Sequence, residues 1–306
     1  MNFFLGKNKY LPYFFITLAT IFWGLSFIAT KFLLLNNITP FKIVFIRLFL
    51  CTIFFSLIFT FTKKFERLKT THLKYFILIS FFEPYTYFVG ETYGLKYLNA
   101  TTVSLLIATT PIFLAVSDFL FYKEKLLLIN ILGIILSFFG AILIILSYEQ
   151  NLNFTINGLF FVFIAIFSAV AYTIILKKVT LFYNSLSIVF YQNLLGLPLF
   201  FLSTLILEGI QKQDLIILTT NKNIIIALLF LSIFPSLFAY VFYTYSIKKI
   251  GITRTGVFLN FIPVATLIFS YFLLQEEINT VKVLGIFSVI IGIYFSQKKF
   301  YEEKSL

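Results

Sequence analysis

"EKLLLINILGIILSFFG", residues 124–140, returns later in the chain as "EEINTVKVLGIFSVIIG", residues 276–292. Each copy opens on a glutamate, places a glycine nine residues on and a second glycine seven beyond that. Glu124, Gly133 and Gly140 in the first copy become Glu276, Gly285 and Gly292 in the second, an offset of 152. The same offset puts Tyr93 on Tyr245, Thr101 on Thr253 and Pro111 on Pro263. Nearer the start, "KIVFIR" (42–47) falls on "SIVFYQ" (187–192) at an offset of 145, because a longer loop precedes the eighth apolar segment. Self-similarity on this scale divides the chain into two homologous halves, 1–150 and 151–306.

The solvent those halves are built for follows from composition. Of 306 residues 60% are hydrophobic and only 12% charged, about half the charge of a soluble domain. Such a chain is an integral membrane protein. Ten apolar stretches approach the roughly 20 residues that cross a bilayer as helix: 11–34, 41–61, 74–95, 102–121, 127–147, 158–176, 186–207, 223–247, 255–274 and 280–297. The run 11–34 is too long for a cleaved signal segment and reads as a retained first span. The expected fold is all-α, ten transmembrane helices with no soluble domain.

The net charge of +12 does not point to nucleic acid, since the basic residues sit in short gaps between apolar runs. With the N-terminus cytoplasmic, 17 of the 24 Lys and Arg fall on the inner side and 5 on the outer, the bias that sets topology. Both termini are expected inside, in the cell's inner (cytoplasmic) membrane. Because five is odd, the second half enters upside down relative to the first. Inverted five-helix repeats are a transporter architecture, with the substrate site near the midplane.

The residues also resemble a known family. "FWGLSF" (22–27), Pro40 with Arg47, "TTP" (109–111) and the doubled Glu–Gly–Gly pattern are similar to the drug/metabolite transporter superfamily, in its ten-span type built from two EamA domains. The resemblance covers essentially the whole chain. It implies a secondary transporter, an exporter of small metabolites such as amino acids or related compounds, working by alternating access between the halves. The second half departs from a strict copy: Arg47 falls on Gln192 and Glu83 on Pro235.

Charge inside a membrane is costly and faces protein or water, so the intramembrane polar residues are the candidate site. Glu83, nine residues past Lys74, lies about 13 Å along its helix, near mid-depth. Helical spacing puts Glu83, Tyr87, Gly90 and Gly94 on one stripe, with Glu91 about 80° off it. Pro84 loosens the backbone beside them, as is tolerated where a cavity is lined. Glu83 has two readings: a site for a substrate amine or a coupling proton, or a carboxyl satisfied by a neighbouring Tyr or backbone group. Arg47 and Glu91 share the outer third, as an ion pair or with Arg47 holding a substrate carboxylate. Gln192, Asn193 and Asn260 are the second half's mid-depth polar groups. Trp23, Tyr172, Tyr240 and Tyr243 line the cavity or pack. Lys31 is expected to snorkel outward. Asp118 lies near the inner interface, solvated or part of an inner gate.

The repeated motif itself reads as structure. Glu124 and Glu276 suit helix N-termini, and the four glycines suit close helix packing. One histidine (His72, in a gap) and one cysteine (Cys51, in an apolar run) supply no metal site, disulfide or catalytic set, and no cofactor is expected. No phosphate-binding GxxxxGK[ST] loop occurs, so ATP does not drive the process directly. An intramembrane enzyme and a non-transporting receptor are the alternatives; substrate-dependent flux separates them from a transporter.

Overall fold

The computed structural model describes residues 9–62, 65–98, 103, 106–124, 126–146, 155–209, 221–274 and 279–297. Helix covers nearly all of what is described. The first half contributes α1 (Leu11–Leu35), α2 (Pro40–Thr62), α3 (Leu73–Ser80), α4 (Tyr87–Tyr97), α5 (Thr110–Tyr122) and α6 (Leu128–Leu146). The second contributes α7 (Ile156–Val179), α8 (Ser185–Ser203), α9 (Lys222–Ile233), α10 (Tyr240–Ile250), α11 (Ile252–Val257), α12 (Ile262–Leu274) and α13 (Thr280–Ser296). Short π-helical turns join α3 to α4 and α9 to α10, and a 3-10 turn joins α11 to α12. Among the described residues no strand is present.

Among the described residues, five helical rods are long and apolar enough to cross a bilayer on their own: 11–35, 40–62, 156–179, 185–208 and 222–250. Thr110–Tyr122, 128–144 and Thr280–Ser296 are shorter apolar helices. Helix answers the physics of lipid, where every backbone N–H and C=O needs an internal partner. Side chains finish the ends. Asn184 Oδ1 accepts from Ser187 N (2.8 Å), and Asn279 Oδ1 from Lys282 N (2.9 Å), each an N-cap satisfying an orphan donor. Lys123 takes a left-handed conformation (φ 56°) to close α5, and Gly251 (φ 85°) closes α10.

The outer surface is apolar and several charges are buried. Phe61 is 83% exposed and Ile206 77%, while Glu83 is 6% exposed and Arg47 3%. An apolar outer surface surrounds a largely apolar core into which the intramembrane charges are turned, since charge inside a membrane faces protein rather than lipid.

Two seams tie the halves together. Along α6 and α13, a Cβ on Gly133 would lie 2.4 Å from Ser296 N and 2.7 Å from Gly292 O, and one on Gly140 2.7 Å from Gly285 O. The reverse contacts, Gly285 to Gly140 O (2.8 Å) and Gly292 to Gly133 O (2.7 Å), are as close. The pairing 133 with 292 and 140 with 285 runs the helices antiparallel, and only glycine admits this backbone approach. The close-packing expectation for all four glycines thus has its geometry. The second seam joins α2 and α8 at both ends. Glu208, beyond α8, accepts from Phe41 N and Lys42 N (both 3.1 Å) and from the Thr39 hydroxyl at the start of α2. Glu66, beyond α2, accepts from Asn184 N (2.6 Å) at the start of α8. Each carboxylate supplies the negative charge that a helix N-terminus favours.

Candidate functional site

The rod formed by α3 and α4 breaks at the carboxylate that the sequence singles out. Inside the turn Phe81–Thr86, Glu83 leaves helical geometry (φ −147°, ψ 118°), and the Glu83–Pro84 peptide is cis. Pro84 has no N–H to give the helix, and its ring seats against α8, where a Cβ on Gly196 would come within 2.6 Å of Pro84 Cγ. The rod of α9 and α10 widens to a π-helical turn at the corresponding place, Phe234–Ala239, around Pro235, but keeps helical backbone angles and a trans peptide there. Advanced by 152, the first turn lands within one residue of the second. Irregular helices at corresponding places in two halves point to a transporter binding site.

Between the two turns lies a cavity of about 50 Å³. Glu83 and Glu91 line it from the α3–α4 rod, Arg47 from α2, and Trp23, Tyr87 and Tyr240 complete the predicted set on its wall. Tyr240 donates to Glu83 across the two turns. Trp23 stands edge-on to Tyr240 and Tyr243, each 5.4 Å between ring centres. Tyr243 and Thr173 share a hydrogen bond of 2.9 Å, closing the wall on the α7 side.

Arg47 and Glu91 share the cavity but form no direct ion pair. Arg47 Nε donates to Ser236 Oγ, inside the second turn. Its guanidinium lies over the Phe88 ring, 4.2 Å from the centre. Ser236 in turn donates to Leu231 O (2.8 Å), a carbonyl of α9. Among the described residues, no acceptor meets Arg47's terminal nitrogens and no donor meets the Glu91 carboxylate. Arg47 and the carboxyls of Glu83 and Glu91 therefore face one space from different helices, near enough to interact electrostatically but with no hydrogen bond between Arg47 and either acid.

Other expectations are redirected. The stripe of Glu83, Tyr87, Gly90 and Gly94 does not hold together. Glu83 and Tyr87 line the cavity, whereas Gly90 and Gly94 face α7, where added Cβ atoms would meet Phe161 O (2.5 Å) and Val162 Cγ2 (2.6 Å). Tyr87, Gly90, Glu91 and Gly94 all lie in regular helix beyond the break; Tyr87 and Glu91, one turn apart, face the cavity, and the glycines on the adjoining flank pack on α7. Gln192 is not on the cavity wall; it accepts from the Tyr172 hydroxyl (2.9 Å) in the core. Asn260 is also off the wall and donates to Ser137 Oγ (2.8 Å), while Asn193 donates to Cys51 Sγ (3.2 Å). Lys31 does not snorkel free; its Nζ donates to Leu95 O (2.7 Å) and Leu98 O (3.2 Å), the open carbonyls ending α4. Glu124 precedes the first turn of α6 rather than sitting in it, and lies 3.8 Å from Lys177. Glu276 falls outside the described residues.

One cluster lies beyond the cavity. Asp118 Oδ1 accepts from Lys177 Nζ (2.9 Å), and Oδ2 from Thr253 N (3.1 Å) and Thr253 Oγ1 (2.9 Å). It joins α5, α7 and α11 on the same side of the cavity. Among the described residues, no three His, Cys, Asp or Glu side chains gather as metal ligands.

Comparison with known proteins fits this geometry. The EamA-like transporter family is matched twice, over residues 11–146 and 156–297. The chain belongs to the EamA-like transporter family. Its EamA relatives include an uncharacterized transporter of Archaeoglobus fulgidus, 28% identical over 93% of this chain and 98% of the relative. The uncharacterized transporter YoaV of Bacillus subtilis is 23% identical over 94% and 96%. A protein of Salmonella typhimurium named "Probable amino-acid metabolite efflux pump" is 23% identical over 91% and 92%. One crystal structure superposes with a TM-score of 0.75 at 12% identity, covering 94% of this chain and 96% of that one, and speaks for the fold alone. This EamA protein is a membrane transporter by family.

Proposed function

We propose that the chain is a secondary transporter that exports small metabolites carrying both an ammonium and a carboxylate, such as amino acids or close relatives. The carrying observation is the pair of buried, opposite charges in one cavity, Arg47 and Glu91, with no hydrogen bond between them. Isolated buried charge costs several kcal/mol unless compensated. A zwitterion compensates both, its carboxylate on Arg47 and its ammonium on Glu91. Glu83, whose protein donor is Tyr240, is the place for a coupling proton. The outward direction rests on the printed name of the Salmonella relative.

The transport cycle we propose is alternating access between two inverted five-helix repeats, 1–150 and 151–306, that together cross the inner membrane ten times with both termini cytoplasmic. The packing supports it through an exchange rule. Replacing each element by its counterpart turns the contact of α1 with α10 into that of α7 with α4. The same exchange turns α1 with α12 into α7 with α5, and α2 with α9 into α8 with α3. The pairs α2–α8 and α6–α13 map onto themselves. A two-fold axis lying in the membrane plane produces this pattern.

Purified protein in proteoliposomes, preloaded with a mixture of radiolabelled amino acids, tests the reading. Efflux accelerated over empty liposomes, and lost in Arg47→Gln, is expected. Protein that moves uncharged analogues as well as zwitterions would refute the substrate assignment.

A further inference from the structure

Ser236 stands out as a polar residue that the site holds but the reading of the sequence did not use. It lies in the second half's π-helical turn, 1% exposed, and makes two bonds of opposite sense. Its hydroxyl donates to Leu231 O at 2.8 Å, so the oxygen's lone pairs are aimed elsewhere, and one accepts from Arg47 Nε. A guanidinium has five N–H donors in a rigid planar fork. With Nε held by Ser236 and one face over Phe88 at 4.2 Å, rotation about the end of the side chain is stopped. The edge left without a protein acceptor is that of the two terminal nitrogens, which presents parallel N–H groups matching the two oxygens of a carboxylate. Lysine in this position would be a point charge with no such edge.

We infer that Ser236 is a positioning residue that sets specificity: it locks Arg47 so that the site selects substrates bearing a free carboxylate over otherwise identical molecules lacking it. The inference rests on the proposed zwitterion reading and adds which residue confers the discrimination. It also crosses the repeat boundary, since Arg47 belongs to the first half and Ser236 to the second. The carboxylate site is therefore complete only when the second half's π-helical turn lies against α2. Without Ser236 the guanidinium keeps its charge and still attracts anions, but loses the fixed fork. Site-built hydrogen bonds give far sharper discrimination than charge or shape alone.

The chain's only tryptophan, Trp23, lines the cavity, so its fluorescence in purified full-length protein reports occupancy. The probes are the common L-amino acids and, for each that binds, its C-terminal amide. Wild type is expected to bind the acid more tightly than the amide. Ser236→Ala should weaken the acid about tenfold, the loss of one hydrogen bond to a charged group, while leaving the amide nearly unchanged. Ser236→Thr, which keeps the hydroxyl, should restore the preference. A merely structural role would weaken acid and amide alike. If Ser236→Ala does not fold, Ser236→Cys decides: it keeps the shape and a weak donor for Leu231 O but is a poor acceptor. A preference for the acid that survives in Ser236→Ala or Ser236→Cys overturns the role of Ser236 and leaves the zwitterion reading standing. Wild type that binds no amino acid, or binds acid and amide equally, overturns the zwitterion reading and this inference with it.

Discussion

Removing the charge of Asp118 should open the cavity toward the cytoplasm. Thr110 lines the cavity, and Asp118 lies eight residues further along α5, about 12 Å at 1.5 Å per residue. Thr173 lines it as well, and Lys177 is one turn beyond on α7. In the proposed topology both steps lead to the inner face, so the Asp118 cluster closes that end. Its carboxylate takes three hydrogen bonds, from Lys177 Nζ at 2.9 Å and from the backbone and side chain of Thr253 at 3.1 and 2.9 Å. Asp118→Asn keeps the shape and one carbonyl acceptor but gives up the charge-assisted bond, worth about 1.5–3 kcal/mol. Lys177 is 20% exposed and Asp118 5%, so solvent screens the pair only in part and a loss of about 2 kcal/mol is reasonable. That free energy moves a two-state equilibrium about thirtyfold. With Cys51 replaced by serine and a cysteine placed at Thr110, an impermeant maleimide added to inside-out vesicles should label Asp118→Asn faster by about that factor. Glu124→Gln is the control. Glu124 is 3.8 Å from Lys177 and 55% exposed, so its removal should change labelling little. Labelling that is unchanged in Asp118→Asn, or raised equally by Glu124→Gln, refutes the argument.

Three further outcomes are expected. Glu83→Gln keeps an acceptor for Tyr240 but cannot exchange a proton, so flux should fall at least ~10-fold, the scale of one charged hydrogen bond, and lose its pH dependence; wild-type flux with wild-type pH response in folded protein would sink the proton site. Gly133→Ala forces a methyl to within 2.4 Å of Ser296 N and should cost about 1–3 kcal/mol by overpacking, read as a lowered unfolding midpoint in detergent, with no change contradicting the close seam. Cysteines at Asn221 and Lys69 should label from outside and from inside respectively, and the reverse would invert the topology.

Much of the site was legible because its chemistry is rare in such a chain. A glutamate beside a proline in an apolar run, and an arginine in another, stand out against hydrocarbon, and Glu83, Glu91 and Arg47 all reach the cavity. What could not be read was pairing. Arg47 and Glu91 match in charge and depth, yet Arg47 turns to a serine on the other half, and one serine among apolar residues carries no hydropathy signal. Helical spacing put Tyr87, Gly90 and Gly94 on one stripe, but a stripe that wide spans two neighbours: Tyr87 reaches the cavity while Gly90 and Gly94 meet α7. Gln192 and Asn260 were chosen for polarity, but Tyr172 and Ser137 absorb them. The end-capping carboxylates Glu66, in a loop, and Glu208, at the end of its helical rod, sit outside the apolar cores of the spans, where acids are ordinary, and the offset between them is distorted by loop length. A signal was nonetheless present at Ser236, since the repeat places it opposite Pro84.

The glycine seam carries a consequence for how such a chain comes to exist. Gly133 against Gly292 and Gly140 against Gly285 amount to one contact made twice, the kind an isologous dimer forms across its axis. A single five-helix half expressed alone would own one side of that seam and could satisfy it only against another copy lying upside down. Its gene product would have to enter the bilayer in both orientations, which forbids a strong charge bias. Joining two copies end to end lifts that restriction. Each half is then free to commit to one orientation, as the proposed topology, with 17 basic residues inside and 5 outside, requires. The acid-bearing break and the acid-free turn can likewise diverge, one keeping Glu83 and the other Pro235 and Ser236.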